Sequence, residues 1–156
     1  MQVEALLSDS AVSVEGKLYL QGAGWNILNA PGLPIRVPRI GVAMVFSVPW
    51  TETNTPHQFD VRLVDADGHI LPLADAPPGV DVEDGKIRRL GASLNVGRPP
   101  TVAPGDEQMV PIAFNIDGLV FSDPGRYEFV VSVDDKDMKR LPMRVVVAPG
   151  SNPIVG

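Results

Sequence analysis

The sequence predicts an all-β fold, a single antiparallel sandwich of eight or nine strands. Helical periodicity is nearly absent, while short alternating or continuously apolar runs recur along the whole chain. Sixteen prolines and fifteen glycines are scattered between those runs, so they mark turns and not a disordered linker. A sandwich is the simplest way to bury so many half-apolar strands together.

The first strand is expected at residues 3–8, followed by a turn around Glu15-Gly16-Lys17 and a strand at 18–20. Gly22-Ala23-Gly24 predicts a bulge or sharp bend, since glycine tolerates the angles that a bend imposes. Trp25 would fill the space these small residues leave, leading into a strand at 25–28. Residues 30–39, APGLPIRVPR, hold three prolines and are expected to be a loop or irregular edge. Residues 40–48, IGVAMVFSV, are apolar on both faces, the mark of a central strand. A polar, proline-bounded loop at 49–56 precedes alternation over 57–64, with Phe59, Val61 and Leu63 on one face and Asp60, Arg62 and Val64 on the other. Asp67-Gly68 signals a tight turn before a short return strand at 70–73.

Residues 74–86 are expected to be a loop and 87–96 a weaker strand; whether 74–105 pairs or runs as one long loop stays open. After the proline-rich connection at 97–105, strands are expected at 109–116, 126–133 and 140–147, the last two joined by the charged tip Asp134-Asp135-Lys136-Asp137. One domain over 1–148 with a flexible tail at 149–156 accounts for all 156 residues. A chain this long buries roughly 68–70% of its unfolded surface, so it needs no disulfide or metal to fold.

The absence of cysteine excludes disulfides, thiolate zinc sites, iron–sulfur ligation and a cysteine nucleophile, and fits a reducing compartment. The amino-terminal MQVEALLSDS has neither a basic region nor a long apolar core. No apolar run approaches the roughly 20 residues that a spanning helix requires. A soluble, cytoplasmic protein without membrane contact is the expectation. Nineteen acidic against thirteen basic side chains, a net charge of −6, argue against a nucleic-acid partner.

The stretch LVFSDPGRYEF, residues 119–129, has the spacing of the corner that leads into strand F of immunoglobulin-like sandwiches. In that reading Leu119 packs under the turn, Asp123 caps it, Gly125 supplies a free backbone angle, Tyr127 tethers the turn and Phe129 points into the core. The alternative is a plain Asp-Pro-Gly turn feeding an antiparallel strand. A second resemblance covers most of the chain. Leu6-Leu7-x-Asp9, Gly16-Lys17-Leu18-x-Leu20-x-Gly22, Ile27, Leu63-Val64-Asp65-x-Asp67-Gly68 and Gly125-x-Tyr127 resemble the pattern of a bacterial family of compact domains of unknown function. That resemblance implies a small, stand-alone bacterial β-sandwich and brings no activity and no transferable site residue.

His57 and His69 have neither paired spacing nor an HExxH-like context, so both are expected to be exposed and solvated. No Gly-x-Ser-x-Gly or phosphate-cradling loop is present, so catalytic residues and cofactors are expected to be none. If every connection reverses strand direction, Asp65 and Asp67 fall at one end of the sandwich with Asp134, Asp135 and Asp137 and with Arg36, Arg39 and Arg98. Five carboxylates there could hold calcium; the bland alternative is ordinary solvated turns. Trp50 would lie at the opposite end, either an exposed anchor for a protein partner or a lid over the core. The expected function is a non-catalytic protein-binding or assembly module, with a calcium- or small-ligand-binding sandwich as the alternative. The partner, the oligomeric state and the process are not legible in the residues.

Overall fold

The computed structural model describes residues 1–149; all but the first residue of the expected tail lies outside them. The chain is all-β. Thirteen strands follow in the order β1 (Gln2–Ser8), β2 (Ser10–Val14), β3 (Lys17–Gln21), β4 (Ile27–Ala30), β5 (Ile35–Pro49), β6 (His57–Asp65), β7 (Ile70–Leu71), β8 (Ala74–Asp75), β9 (Lys86–Ile87), β10 (Leu90–Leu94), β11 (Glu107–Phe121), β12 (Gly125–Val133) and β13 (Lys136–Val147), with single 3-10 turns at Trp50–Glu52 and Glu83–Gly85. The count exceeds the eight or nine expected because the regions read as loops contain short paired ribbons.

Two larger sheets carry the fold. One has the order β1-β5-β11; the other runs β10-β6-β12-β13-β4, with β7 as a short addition to β6. All their pairings are antiparallel except β13 with β4. Alternate residues of each strand enter one shared core: Val42, Met44, Phe46 and Val48 from β5 join Phe59, Val61 and Leu63 from β6 and Phe129 and Val131 from β12. Phe46 and Phe59 meet at 5.0 Å between ring centroids, and Phe59 stacks with Phe114 of β11 at 5.9 Å. This apolar contact between sheets is the main stabilising term.

β5 is longer than its apolar run. Its first five residues lie in the segment expected to be a loop, yet they pair with β11 from Ile35–Phe121 onward. Pro38 is tolerated for two reasons. The partner β1 reaches only to Gly41, so this part of β5 is open on one side; and Pro38 falls between the paired residues Val37 and Arg39, opposite Gly118, where the ladder has a gap.

β2 and β3 form a hairpin closed by Glu15-Gly16, at φ of 50° and 71°, the twisted turn that two-residue hairpins favour. The ribbon lies against the outer face of the three-stranded sheet. The Asn115 side chain donates to the Ala11 carbonyl (2.7 Å) and accepts from the Ala11 amide (3.0 Å), and the Ser13 hydroxyl donates to the Pro111 carbonyl (2.9 Å). Gly41 permits this approach: a Cβ there would stand 2.5 Å from Ser8 Oγ and 3.1 Å from both the Ala11 nitrogen and Asn115 Oδ1.

Residues 74–105 are neither one loop nor a long strand. β8 and β9 make a two-stranded ribbon, and β10 pairs with β6 from Leu90–Val61 to Leu94–His57.

Candidate functional site

Three regions gather the side chains that could act. The first surrounds the turn between β11 and β12. The Tyr127 hydroxyl donates to the Asp123 carbonyl four residues earlier (2.6 Å), and its ring packs edge-on against Phe121 at 4.9 Å. Gly125 has φ 127°, a conformation open to glycine. Leu119 and Phe129 are buried. Asp123 takes part through its backbone carbonyl. Burial pushes the Tyr127 phenol up from its ordinary value, and the Asp123 and Asp65 charges add to the shift.

Two shallow clefts of about 500 Å³ and 510 Å³ flank this turn and share Asp65, Ala66, Arg126 and Tyr127. Asp65, Asp67 and His69 line up at the β6–β7 turn with potential ligand atoms within 4.8 Å of one another. The Asp65 carboxylate is already engaged: one oxygen accepts from the Asp67 and His69 amides (2.9 Å each), and the other lies 3.3 Å from His69 Nδ1. Those bonds, the His69 amide foremost, hold Asp65 below the usual carboxylate range.

The second region is at the opposite end of the strands, which corrects the expected cluster of five carboxylates. β6 ends at Asp65 beside Tyr127, the start of β12, while its first residues lie beside Val133 and Asp134. Asp65 and Asp67 are therefore separated by the length of β6 from Asp134, Asp135 and Asp137. Strand direction does not reverse across residues 72–89. β7 and β10 both run antiparallel to β6, so the intervening β8–β9 ribbon leaves and returns without crossing the molecule. Arg39 and Arg36 bind Asp117 and the Gly118 carbonyl near the first region, whereas Arg98 lies with Trp50 at the second.

Trp50 shares its end with Asp134, contrary to expectation. It is half-buried, with the Arg98 guanidinium 4.3 Å above its ring. Arg98 also donates to the Trp50 carbonyl (2.8 Å) and to the Thr53 hydroxyl, so the ring is held in place. His57 is buried, not solvated. Its Nδ1 meets Asp134 Oδ2 at 2.7 Å and its Nε2 meets the Glu52 carbonyl at 3.0 Å. Both partners are acceptors, so only the doubly protonated ring satisfies both. The Asp134 bond, then the Glu52 carbonyl, raises the His57 pKa, and His57 lowers that of Asp134. The sequence held no local signal for this pairing, because the partners are 77 residues apart.

The third region is apolar. Leu6, Val12, Val14, Tyr19 and Met109 are all exposed, Met109 by 63% and Tyr19 by 56%. Val12 and Tyr19 are cross-strand partners on the ribbon. Leu6 and Met109 project from the face of the three-stranded sheet that carries Ala43 and Ser47, away from the core. The alternation of Ala11-Val12-Ser13-Val14 ahead of Glu15-Gly16 was the available signal for this ribbon.

A family model described as "Family of unknown function (DUF6941)" matches residues 4–146. The chain belongs to that family. No curated protein matches it significantly. Among solved structures, the chain is similar to "Pseudomonas fluorescens alkylpurine DNA glycosylase AlkC bound to DNA containing an abasic site analog", at 14% identity and a TM-score of 0.36, over 91% of this chain and 30% of that one. The chain spans under a third of that glycosylase, and a likeness this weak carries no argument about fold or ligand. Membership assigns no residue a role, so the three regions are weighed on their own chemistry.

Proposed function

We infer that the chain is a non-catalytic protein-binding or assembly module of the bacterial cytoplasm, built on an immunoglobulin-like sandwich. The observation that carries this reading is the apolar third region. Val12, Val14 and Tyr19 stand exposed on one face of the hairpin ribbon, and Leu6 and Met109 on the outer face of the sheet it packs against; exposed apolar side chains concentrated in this way mark interaction sites. Several charged side chains on the outer face of the larger sheet are by contrast paired, Arg62 with Asp137, Arg140 with Asp137 and Glu128, and Arg89 with Asp60, while the cross-strand partners Arg126 and Arg144 share that face without an ion pair among the described residues. Acid–base catalysis favours a carboxylate displaced upward, and the displaced ones, Asp65, Asp75, Asp84, Asp117, Asp134 and Asp137, all move down.

The test is affinity capture with the unmodified chain and with a Val12→Glu, Met109→Glu double variant. Both positions are exposed, so the melting temperature should hold while captured protein is lost. A variant that keeps every partner removes this surface from the account.

The second reading, a cation or small ligand beside Asp65 and Asp67, draws on the two clefts, whose volumes fall within the roughly 300–1,000 Å³ of ligand sites. Stability unchanged by millimolar calcium, by chelator and by small anions would remove it.

A further inference from the structure

We propose that the partner of the ribbon is a second copy of this chain, joined edge to edge through β3 about a two-fold axis at Tyr19. The proposal rests on the binding-module reading and names its occupant. In a hairpin with a two-residue turn the pair flanking the turn is hydrogen-bonded and the bonding then alternates. Val14–Lys17, Val12–Tyr19 and Ser10–Gln21 are therefore the bonded pairs, and Leu18 and Leu20 direct their N–H and C=O groups to the other edge. Among the described residues β3 pairs with β2 alone, and Leu18 and Leu20 make no backbone hydrogen bond to any loop.

Edges left open in this way are usually protected by proline, a bulge or a mid-strand charge. β11 carries Pro111. β3 has no such device; its one charge, Lys17, is at its end.

The residues of β3 are also self-complementary, which an isologous two-fold contact requires. Lys17-Leu18-Tyr19-Leu20-Gln21 reads as polar–Leu–Tyr–Leu–polar in both directions. Turned antiparallel on itself, Leu18 faces Leu20 of the second copy in a bonded pair, and the symmetric pair repeats it, which gives four main-chain hydrogen bonds. Tyr19 faces its own copy in the intervening non-bonded pair, where side chains come closest. Lys17 faces Gln21 and meets no like charge. Val12, which shares its ribbon face with Tyr19, extends the apolar row on both sides of the axis.

The chain has no cysteine, so Tyr19→Cys places a single thiol per molecule beside the axis. Mild oxidation is expected to cross-link this variant faster than Val12→Cys, which is on the same face but one strand from the axis. Sedimentation of the unmodified protein from micromolar to about 0.5 mM should show a mass rising from 16.7 kDa toward twice that value. Tyr19→Lys, which sets two ammonium groups face to face, should raise the dissociation constant at least about tenfold. A constant monomer mass overturns the proposal, as does a dimer indifferent to Tyr19→Lys or a Tyr19→Cys that cross-links no faster than Val12→Cys. A monomer that still loses a captured partner in the Val12→Glu, Met109→Glu variant sinks self-association alone; a chain that neither associates nor captures sinks both readings.

Discussion

Replacing Tyr127 with Phe removes one oxygen and leaves the rest of the corner in place. The ring keeps its edge-on contact with Phe121 and its burial at 7% exposure, so the change isolates the 2.6 Å bond to the Asp123 carbonyl. A net intramolecular hydrogen bond contributes about 0.5–1.5 kcal/mol. For a domain of this size each kcal/mol lowers the melting temperature by about 2–4 °C. Urea unfolding followed by Trp25 and Trp50 fluorescence should show a lower midpoint at unchanged slope, since the surface exposed on unfolding is the same. The phenol adds a pH signature. Its folded pKa is raised above 10.0, so its contribution is fully present below pH 10 and is lost as pH rises through the folded value. Stability above pH 10 should therefore fall more steeply in the unmodified chain than in Tyr127→Phe. A midpoint indistinguishable from the unmodified protein, with the same alkaline slope, would refute the tether.

His57 gives a second pH dependence. Its pKa is raised from 6.5 and that of Asp134 lowered from 3.8, so the pair stabilises most between those values, losing strength as pH rises through the folded His57 value or falls through that of Asp134. Thermal melts should decline from pH 6 to 9, and His57→Gln should flatten that decline while lowering stability at pH 6 by about 1–2 kcal/mol, the half-exposed Asp134 being partly screened. Gly41→Ala drives a methyl group to 2.5 Å from Ser8 Oγ, which is itself fully buried, and should cost about 1–3 kcal/mol by overpacking, read as a lower urea midpoint. Gly125→Ala has open space around its Cβ, so any loss there reports backbone strain at φ 127° alone, about 1–3 kcal/mol.

The all-β class was legible because it rests on local signals. Alternation at Phe59, Val61 and Leu63 and the apolar run of residues 40–48 became core strands because side-chain period sets which face is buried. What was not legible depended on partners far along the chain. Pro38 argued for a loop, and it is compatible with a strand because β1 stops at Gly41 and because it stands in the ladder gap opposite Gly118. The grouping of Asp65 and Asp67 with Asp134, Asp135 and Asp137 required every connection to cross the molecule, and the β8–β9 ribbon does not. His57 looked solvated because its acceptors, Glu52 and Asp134, converge on it only after folding. The ribbon of β2 and β3 combined a legible turn with an overlooked strand, and its exposed face was invisible without the sheet beneath it.

Hydrogen exchange tests the binding surface most directly, measured at low and high protein concentration and with any captured partner. Slower exchange on association is predicted for the amides of residues 10–21 and of 107–113, with Leu18 and Leu20 most affected. Protection confined to the turn at 65–69 and the corner at 121–127, or to Trp50–Glu52 and the loop at 97–105, would contradict the account.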